Sequence, residues 1–201
     1  AALSRIAACT QARRLFTRSS PRFMAIEEPP LASGEAKSSE VDVIFSDEDI
    51  VVVNKPSGLL SVPGLTEKDC IARRVQEKFG IERIDQMVAH RLDQMTSGVM
   101  VFARNLDALK DLHKQFRMRT VRKEYFACCA GVPRQAMDGE IRIPIRKDME
   151  NPPKMKIDHI EGKPSFTYWS LDAYEPDDSL DEEFRCYMRL RPKTGRSHQL
   201  R

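Results

Sequence analysis

The sequence predicts an α+β domain: a largely antiparallel mixed sheet with flanking helices. Three observations predict it. Short runs of β-branched and aromatic residues follow one another directly through most of the chain. Only two segments repeat their apolar residues at helical spacing, so the strict strand–helix alternation of a doubly wound fold is missing. No internal repeat is visible. The 201 residues are 41% hydrophobic and 31% charged, which suits one domain with its own core, and no apolar run reaches the length of a membrane span.

Residues 1–23 contain Arg5, Arg13, Arg14, Arg18 and Arg22 and no acid, so this segment carries +5 and the remainder −2 of the chain's net +3. An Arg-, Ser- and Ala-rich, acid-free start has the composition of a transit peptide and predicts a mitochondrial or plastid address; the alternative is a disordered tail on a cytoplasmic protein. Pro29, Pro30, Gly34 and nearby serines make a flexible linker that ends at residue 40. Residues 41–201 form the folded domain.

Val41–Phe45 predicts a strand, Ser46–Asp49 a turn, and Ile50–Val53 a strand of the fully buried kind. Asn54-Lys55-Pro56-Ser57-Gly58 ends it, with Lys55 read as a solvated loop lysine. Residues 69–79 make a helix with Asp69 as N-cap, a stripe of Ile71, Val75 and Phe79, and Gly80 as its stop. His90-Arg91-Leu92-Asp93-Gln94-Met95-Thr96-Ser97-Gly98 is a polar loop, and Val99–Ala103 a buried strand after it.

Asn105 caps a second helix with a stripe of Leu106, Leu109, Leu112 and Phe116. Its later part begins a basic run, Lys110, Lys114, Arg117, Arg119, Arg122 and Lys123 against the single acid Asp111, either a solvated face or a contact for phosphates. Lys123–Gly131 is a strand with Tyr125 and Ala127 on one face and Glu124 and Phe126 on the other. Residues 139–145 form another strand, with Pro144 marking an edge or end, and 146–163 a loop. Strands at 165–171 and 184–191 flank an acidic turn centred on Asp177, Asp178 and Asp181.

Cys9, Cys70, Cys128, Cys129 and Cys186 are odd in number and match no metal spacing, so they read as free thiols in a reducing compartment. The four histidines are scattered: His90 reads as a structural hydrogen-bonder and His113 as a helix-surface residue. Gly162-Lys163-Pro164-Ser165 is no P-loop, and Thr96-Ser97-Gly98 no nucleophile elbow. What remains is Asp93, with Arg91 close by in sequence and Arg196 on the last segment. Cations beside it would keep this carboxylate ionised, ready to act as a nucleophile or base; the bland reading is a structural Asp–Arg pair.

The order His-Arg-Leu-Asp-x-x-Thr-Ser-Gly at 90–98, Lys-x-Tyr at 123–125 and Thr-Gly-Arg-x-His-Gln at 194–199 resembles the RluA/RsuA-type pseudouridine synthases. The stretch Val53–Gly64 is similar to the N-terminal motif of their compact single-domain RluA subtype. The resemblance runs from about Val41 to the end and implies the pseudouridine synthase fold. It implies an isomerase that converts specific uridines of tRNA or rRNA into pseudouridine, working on a structured stem-loop without metal or cofactor; a monomer is the default expectation. It places the catalytic aspartate at Asp93, the tyrosine that packs against the target base at Tyr125, and the arginine that pairs with the aspartate at Arg196. Arg91 matches the arginine that helps hold the flipped-out nucleotide's site open. The basic residues from Lys110 to Lys123 are then candidates for RNA phosphates.

Such enzymes must draw a uridine out of its stack, which costs a few kcal/mol that an aromatic face can partly return. Attack at C1′ and removal of a sugar proton are both compatible with an ionised aspartate. Relatives continue past the Thr-Gly-Arg pattern, so the sequence leads one to expect a domain incomplete at its C-terminus. The competing reading is a non-catalytic RNA-binding module that keeps the fold. A glycoside-bond hydrolase would need a second catalytic carboxylate, which the sequence does not place.

Overall fold

The structure is a computed structural model and describes residues 40–65, 69–176 and 184–201. The basic segment 1–23, the linker up to residue 39 and the acidic turn at Asp177, Asp178 and Asp181 lie outside the described residues. The chain divides into two compact units, one ending at Lys114 and the other spanning Gln115–Arg201.

In the first unit, β1 (Asp42–Ser46), β2 (Ile50–Lys55) and β3 (Gly98–Ala103) form an antiparallel sheet with β2 in the middle. The β-branched run of β2 fits that place, since Ile50 to Val53 are all buried. Asp47 closes the β1–β2 turn: its Oδ1 accepts from the amides of Asp49 and Ile50 at 2.9 and 2.8 Å. Val51, Val53, Met100 and Phe102 pack with Ile71, Ala72 and Val75 of helix α1 (Ile71–Phe79) and with Val41, Cys70 and Met87. Each fully buried side chain of this size contributes roughly 1.5–3 kcal/mol.

Helix α1 stops at Gly80, whose φ of 64° is the left-handed backbone expected of a C-cap. Its N-cap is not Asp69 but Cys70, whose Sγ accepts from the Arg73 amide at 3.4 Å. The Asp69 carboxylate is instead drawn to the Arg74 guanidinium at 2.6 Å, which holds it below the usual carboxylate range. Helix α2 (Leu106–Arg117) is capped as expected, with the Ala108 amide donating to Asn105 Oδ1 at 2.9 Å. Leu109 and Leu112 are buried, but Leu106 is 49% exposed and Ala108 takes the inward place in the first turn.

In the second unit, β4 (Tyr125–Ala130), β5 (Asp138–Arg142), β8 (Phe166–Pro176) and β9 (Phe184–Pro192) form an antiparallel sheet in the order β4-β9-β8-β5. The alternation read for β4 holds: Tyr125, Ala127 and Cys129 are half-buried, and Phe126, Cys128 and Ala130 exposed. Cys129 stands opposite Cys186. All four described cysteines are free thiols.

Residues 146–163 are not the loop expected of them. β6 (Ile145–Lys147) and β7 (Met155–Ile157) pair as an antiparallel hairpin, and Pro144 separates β6 from β5. Three-residue strands are too short to show a period against charged neighbours. The following turn is braced by Asp158, whose Oδ1 accepts from the amides of Ile160 and Glu161 at 2.9 and 2.8 Å. Its Oδ2 meets Arg146 Nε at 2.6 Å.

All pairings between the named strands are antiparallel, an isolated Leu60–Cys70 bridge is parallel, and helices are few, so the α+β class is confirmed. Among these residues no helix is long and apolar enough to cross a membrane.

Candidate active site

The loop that carries Asp93 is fastened from below. β2 alternates Val51 and Val53 towards the core, and the next residue on that face is Lys55, which is fully buried. Its Nζ donates to the carbonyls of Pro56, Leu59 and Gln94 at 2.9, 2.7 and 3.0 Å. Three donors on three acceptors is a complete set for an ammonium. Burial pushes this ammonium below the usual lysine range, and the Asp93 carboxylate opposes that shift.

Around Lys55 the two loops are joined by further bonds. Ser57 Oγ donates to the Met95 carbonyl at 2.8 Å, and Ser61 Oγ to that of Leu92 at 2.6 Å while accepting from the Leu92 amide at 3.1 Å. The Gly58 amide donates to the Gln94 carbonyl, and the Gln94 side chain donates back to the Gly58 carbonyl, both at 3.0 Å. The chain then turns at Asp93, whose carbonyl accepts from the Thr96 amide at 3.0 Å. His90 Nε2 accepts from the Val101 amide at 3.1 Å, the structural role expected of it. Gly98 opens β3 at a φ of 127°, backbone that a side chain would strain.

Asp93 is half-buried and Arg91 exposed. No ion pair of Arg91 with Asp93 is present among the described residues, where Arg91 stands exposed. Lys55, which the sequence suggested to be a solvated loop lysine, is a buried cation whose charge interacts with the Asp93 carboxylate. The period-2 alternation of β2 was the signal that could have found it.

In the second unit, Tyr125 opens β4, half-buried and opposite Leu190. Arg196 is half-buried, and its Nε donates to the Pro164 carbonyl at 3.1 Å. Its segment is pinned by Thr194 and Gln199, the two ends of the Thr-Gly-Arg-x-His-Gln motif, to which the sequence assigned no role of their own. Gln199 Oε1 accepts from Thr194 Oγ1 at 2.8 Å and from the Arg196 amide at 3.0 Å. Gln199 Nε2 donates to the Phe166 carbonyl and to Thr167 Oγ1 at 3.1 and 3.0 Å, so every position on that amide is used. Thr194 Oγ1 also accepts from the Phe166 amide at 2.9 Å, tying the end of β9 to the start of β8.

The basic run divides by environment. Lys110, in the first unit, is exposed and paired with Asp107 at 2.9 Å. Lys114, Arg117, Arg119 and Arg122 are exposed, and His113 is on the helix surface as expected. Lys123 is half-buried. Among the described residues no cluster of His, Cys, Asp and Glu could hold a metal ion.

The first unit thus presents an aspartate on a loop fastened through its main-chain carbonyls, and the second presents a tyrosine at the start of a strand. A profile of the family described as RNA pseudouridylate synthase matches residues 49–201. The chain is 44% identical over 162 residues to the dual-specificity RNA pseudouridine synthase RluA of Vibrio parahaemolyticus, covering 80% of this chain and 62% of that protein. It is 42% identical over 163 residues to the protein of the same name from Haemophilus influenzae, covering 80% and 69%. Among solved structures it is similar to human RNA pseudouridylate synthase domain containing 1, with a TM-score of 0.65 and 25% identity over 81% of this chain and 63% of that one. The chain belongs to the RNA pseudouridylate synthase family and is of its RluA type. It spans 62% to 69% of the length of the curated relatives it matches.

Proposed function

We propose that this chain isomerises uridines in RNA to pseudouridine, with Asp93 as the catalytic carboxylate. The observation that carries the reading is the fastening of the Asp93 loop onto the buried Lys55. A reacting group gains most when it is held in place before the substrate arrives, and at least six hydrogen bonds join the two loops. In the reaction the C1′–N1 bond breaks and a C1′–C5 bond forms. The hydrogen on C5 leaves to solvent, and N1 takes up a proton. Asp93 acts at the sugar, Tyr125 stacks on the uracil taken out of its stem-loop, and Arg196 completes the catalytic set. Arg91 is exposed beside Asp93 and free to meet the RNA.

The substrate we infer is a structured stem-loop of tRNA or rRNA; the RluA relatives are named as dual-specificity enzymes. The chain acts as a monomer, and its first residues address it to a mitochondrion or plastid. Tritium release from RNA labelled at uridine C5 tests the activity directly. Wild type releases tritium, and Asp93→Asn lowers release by about four orders of magnitude or more. RNA binding by a folded wild type that releases no tritium would identify a non-catalytic binder instead.

A further inference from the structure

One segment of the second unit holds apolar side chains out in solvent on a tightly bonded frame. β6 lies between β7 and Lys163: the Ile145 amide donates to the Lys163 carbonyl at 3.1 Å, and the Lys163 amide to the Ile145 carbonyl at 2.9 Å. Residues directly opposite on neighbouring strands share a face, as do residues two apart on one strand. Ile157, Ile145 and Lys163 therefore stand in one row, and Met155 and Lys147 in the next. Ile145 and Met155 are half-buried, but Ile157 is 58% exposed, and both lysines are exposed. The turn between β7 and Lys163 presents Ile160 with 95% of its surface in solvent.

That turn is held by main chain as well as by the Asp158 carboxylate. The Gly162 amide donates to the Asp158 carbonyl at 3.0 Å, and the Asp158 amide to the Pro144 carbonyl at 3.1 Å. A side chain at Gly162 would run into the Asp158 carbonyl and into Pro144. A β-branched apolar residue is thus displayed on a closely packed turn. The acids nearby are engaged. Arg146, on the opposite face, takes Asp158 at 2.6 Å and Glu161 at 3.5 Å. Asp148 accepts from the Glu150 amide and the Asn151 side chain at 3.1 and 3.0 Å. Lys147 and Lys163 form no ion pair among the described residues.

Apolar surface flanked by unanswered ammonium groups suits a partner that is flat and apolar in one part and anionic in the next. An unstacked stretch of RNA has that chemistry, with base faces alternating with phosphates. The root of the segment also adjoins the site. The Arg196 guanidinium donates to the carbonyl of Pro164, the residue after Lys163, and Ser165 Oγ closes the segment onto the Ile143 carbonyl at 2.6 Å. RNA that reaches Arg196 therefore passes beside Lys163.

We propose that residues 144–164 form a second RNA contact, which takes nucleotides flanking the target uridine: Ile157 and Ile160 lie against an unstacked base, and Lys147 and Lys163 meet the phosphates beside it. This rests on the RNA-modifying reading above and deepens it, because a contact beside the target helps to set which RNA is accepted.

The test uses the full chain and a uridine-containing RNA stem-loop. Affinity is measured across a range of salt, with tritium release and sedimentation alongside. One variant combines Ile157→Ser with Ile160→Ser, and the other Lys147→Gln with Lys163→Gln. Arg83→Gln, in an exposed pair with Asp85, removes one positive charge elsewhere as a control. All four substituted residues are exposed, so both variants should melt within about 2 °C of wild type. The isoleucine variant is expected to bind RNA about tenfold more weakly with an unchanged salt slope, since base contacts carry no charge. Its KM should rise in step while release at saturating RNA stays near that of wild type. The lysine variant should flatten the slope of log K against log salt by about 1.4, the share of two single-strand phosphate contacts.

Affinity and slope in both variants equal to those of the Arg83→Gln control would overturn the contact; tritium release by wild type in that case leaves the isomerase reading standing. If binding changes as expected but wild type releases no tritium, the contact stands and the isomerase reading fails. Self-association of wild type that the isoleucine variant loses, with RNA affinity unchanged, would assign the face to a second copy and overturn the proposal. A folded wild type that binds no RNA overturns both readings.

Discussion

A lysine ammonium carries three protons, and Lys55 directs all three at carbonyls on the two loops that meet at Asp93. Replacing it with methionine keeps the apolar stem and removes the donors. The carbonyls of Pro56, Leu59 and Gln94 then lose a buried partner, at a cost on the order of 3 kcal/mol. Lys55→Met is therefore expected to lower Tm by about 10 °C in a thermal melt and to reduce tritium release at temperatures where the protein is still folded. A Tm within 2 °C of wild type would show that water satisfies those carbonyls. The residue was half legible in the sequence. Alternation along Ile50–Lys55 puts it on the Val51 and Val53 face, but nothing local announces that the Gln94 carbonyl returns from 39 positions away to receive it. Asp93 was legible through its motif, whereas the buried Lys55 whose charge it meets was not.

Elements whose signals are local were read correctly from sequence, and those decided by competition were not. Asn105 caps α2 because its acceptor lies three residues from the amide it serves. Asp69 fails to cap α1 because Arg74, five residues on, offers a charged partner. The β6–β7 hairpin escaped notice because its strands are three residues long and its fastening is the carboxylate of Asp158. That fastening gives the hairpin a pH dependence. Two amides and the Arg146 guanidinium hold the Asp158 carboxyl well below its unfolded value of about 3.9. A depressed carboxyl contributes stability that is fully present above the unfolded value and is lost as pH falls through the folded one. Below about pH 4 the amides of Ile160 and Glu161 are therefore expected to lose protection in hydrogen exchange, before those of β8 and β9. Asp158→Asn has no carboxylate to titrate and should show no such acid-specific loss; equal loss in both proteins would assign it to another group.

At the scale of the whole molecule, the α+β class followed from the order of strands and helices, but the division into separate sheets did not. Which strand neighbours which is a non-local fact: β9 lies between β4 and β8 although it is last in sequence. Charge is also organised at this scale. Residues 1–23 carry +5 in a chain of net +3, while the strands of the second unit pair their arginines with acids. A segment so concentrated is expected to act as an address. Residues 1–39 fused to a fluorescent reporter should carry it into mitochondria or plastids, as read by imaging and organelle fractionation. A reporter spread evenly through the cytoplasm would remove the organellar assignment and leave the activity untouched.

The fastening under Asp93 has one more consequence. It reaches the loop through the main-chain oxygens of Leu92, Gln94 and Met95, and every residue type supplies such an oxygen. Met95, with 66% of its surface exposed, can thus be exchanged over generations without shifting the aspartate two positions earlier. A lineage can remodel the contour it shows to different RNAs while its reactive group stays where it was.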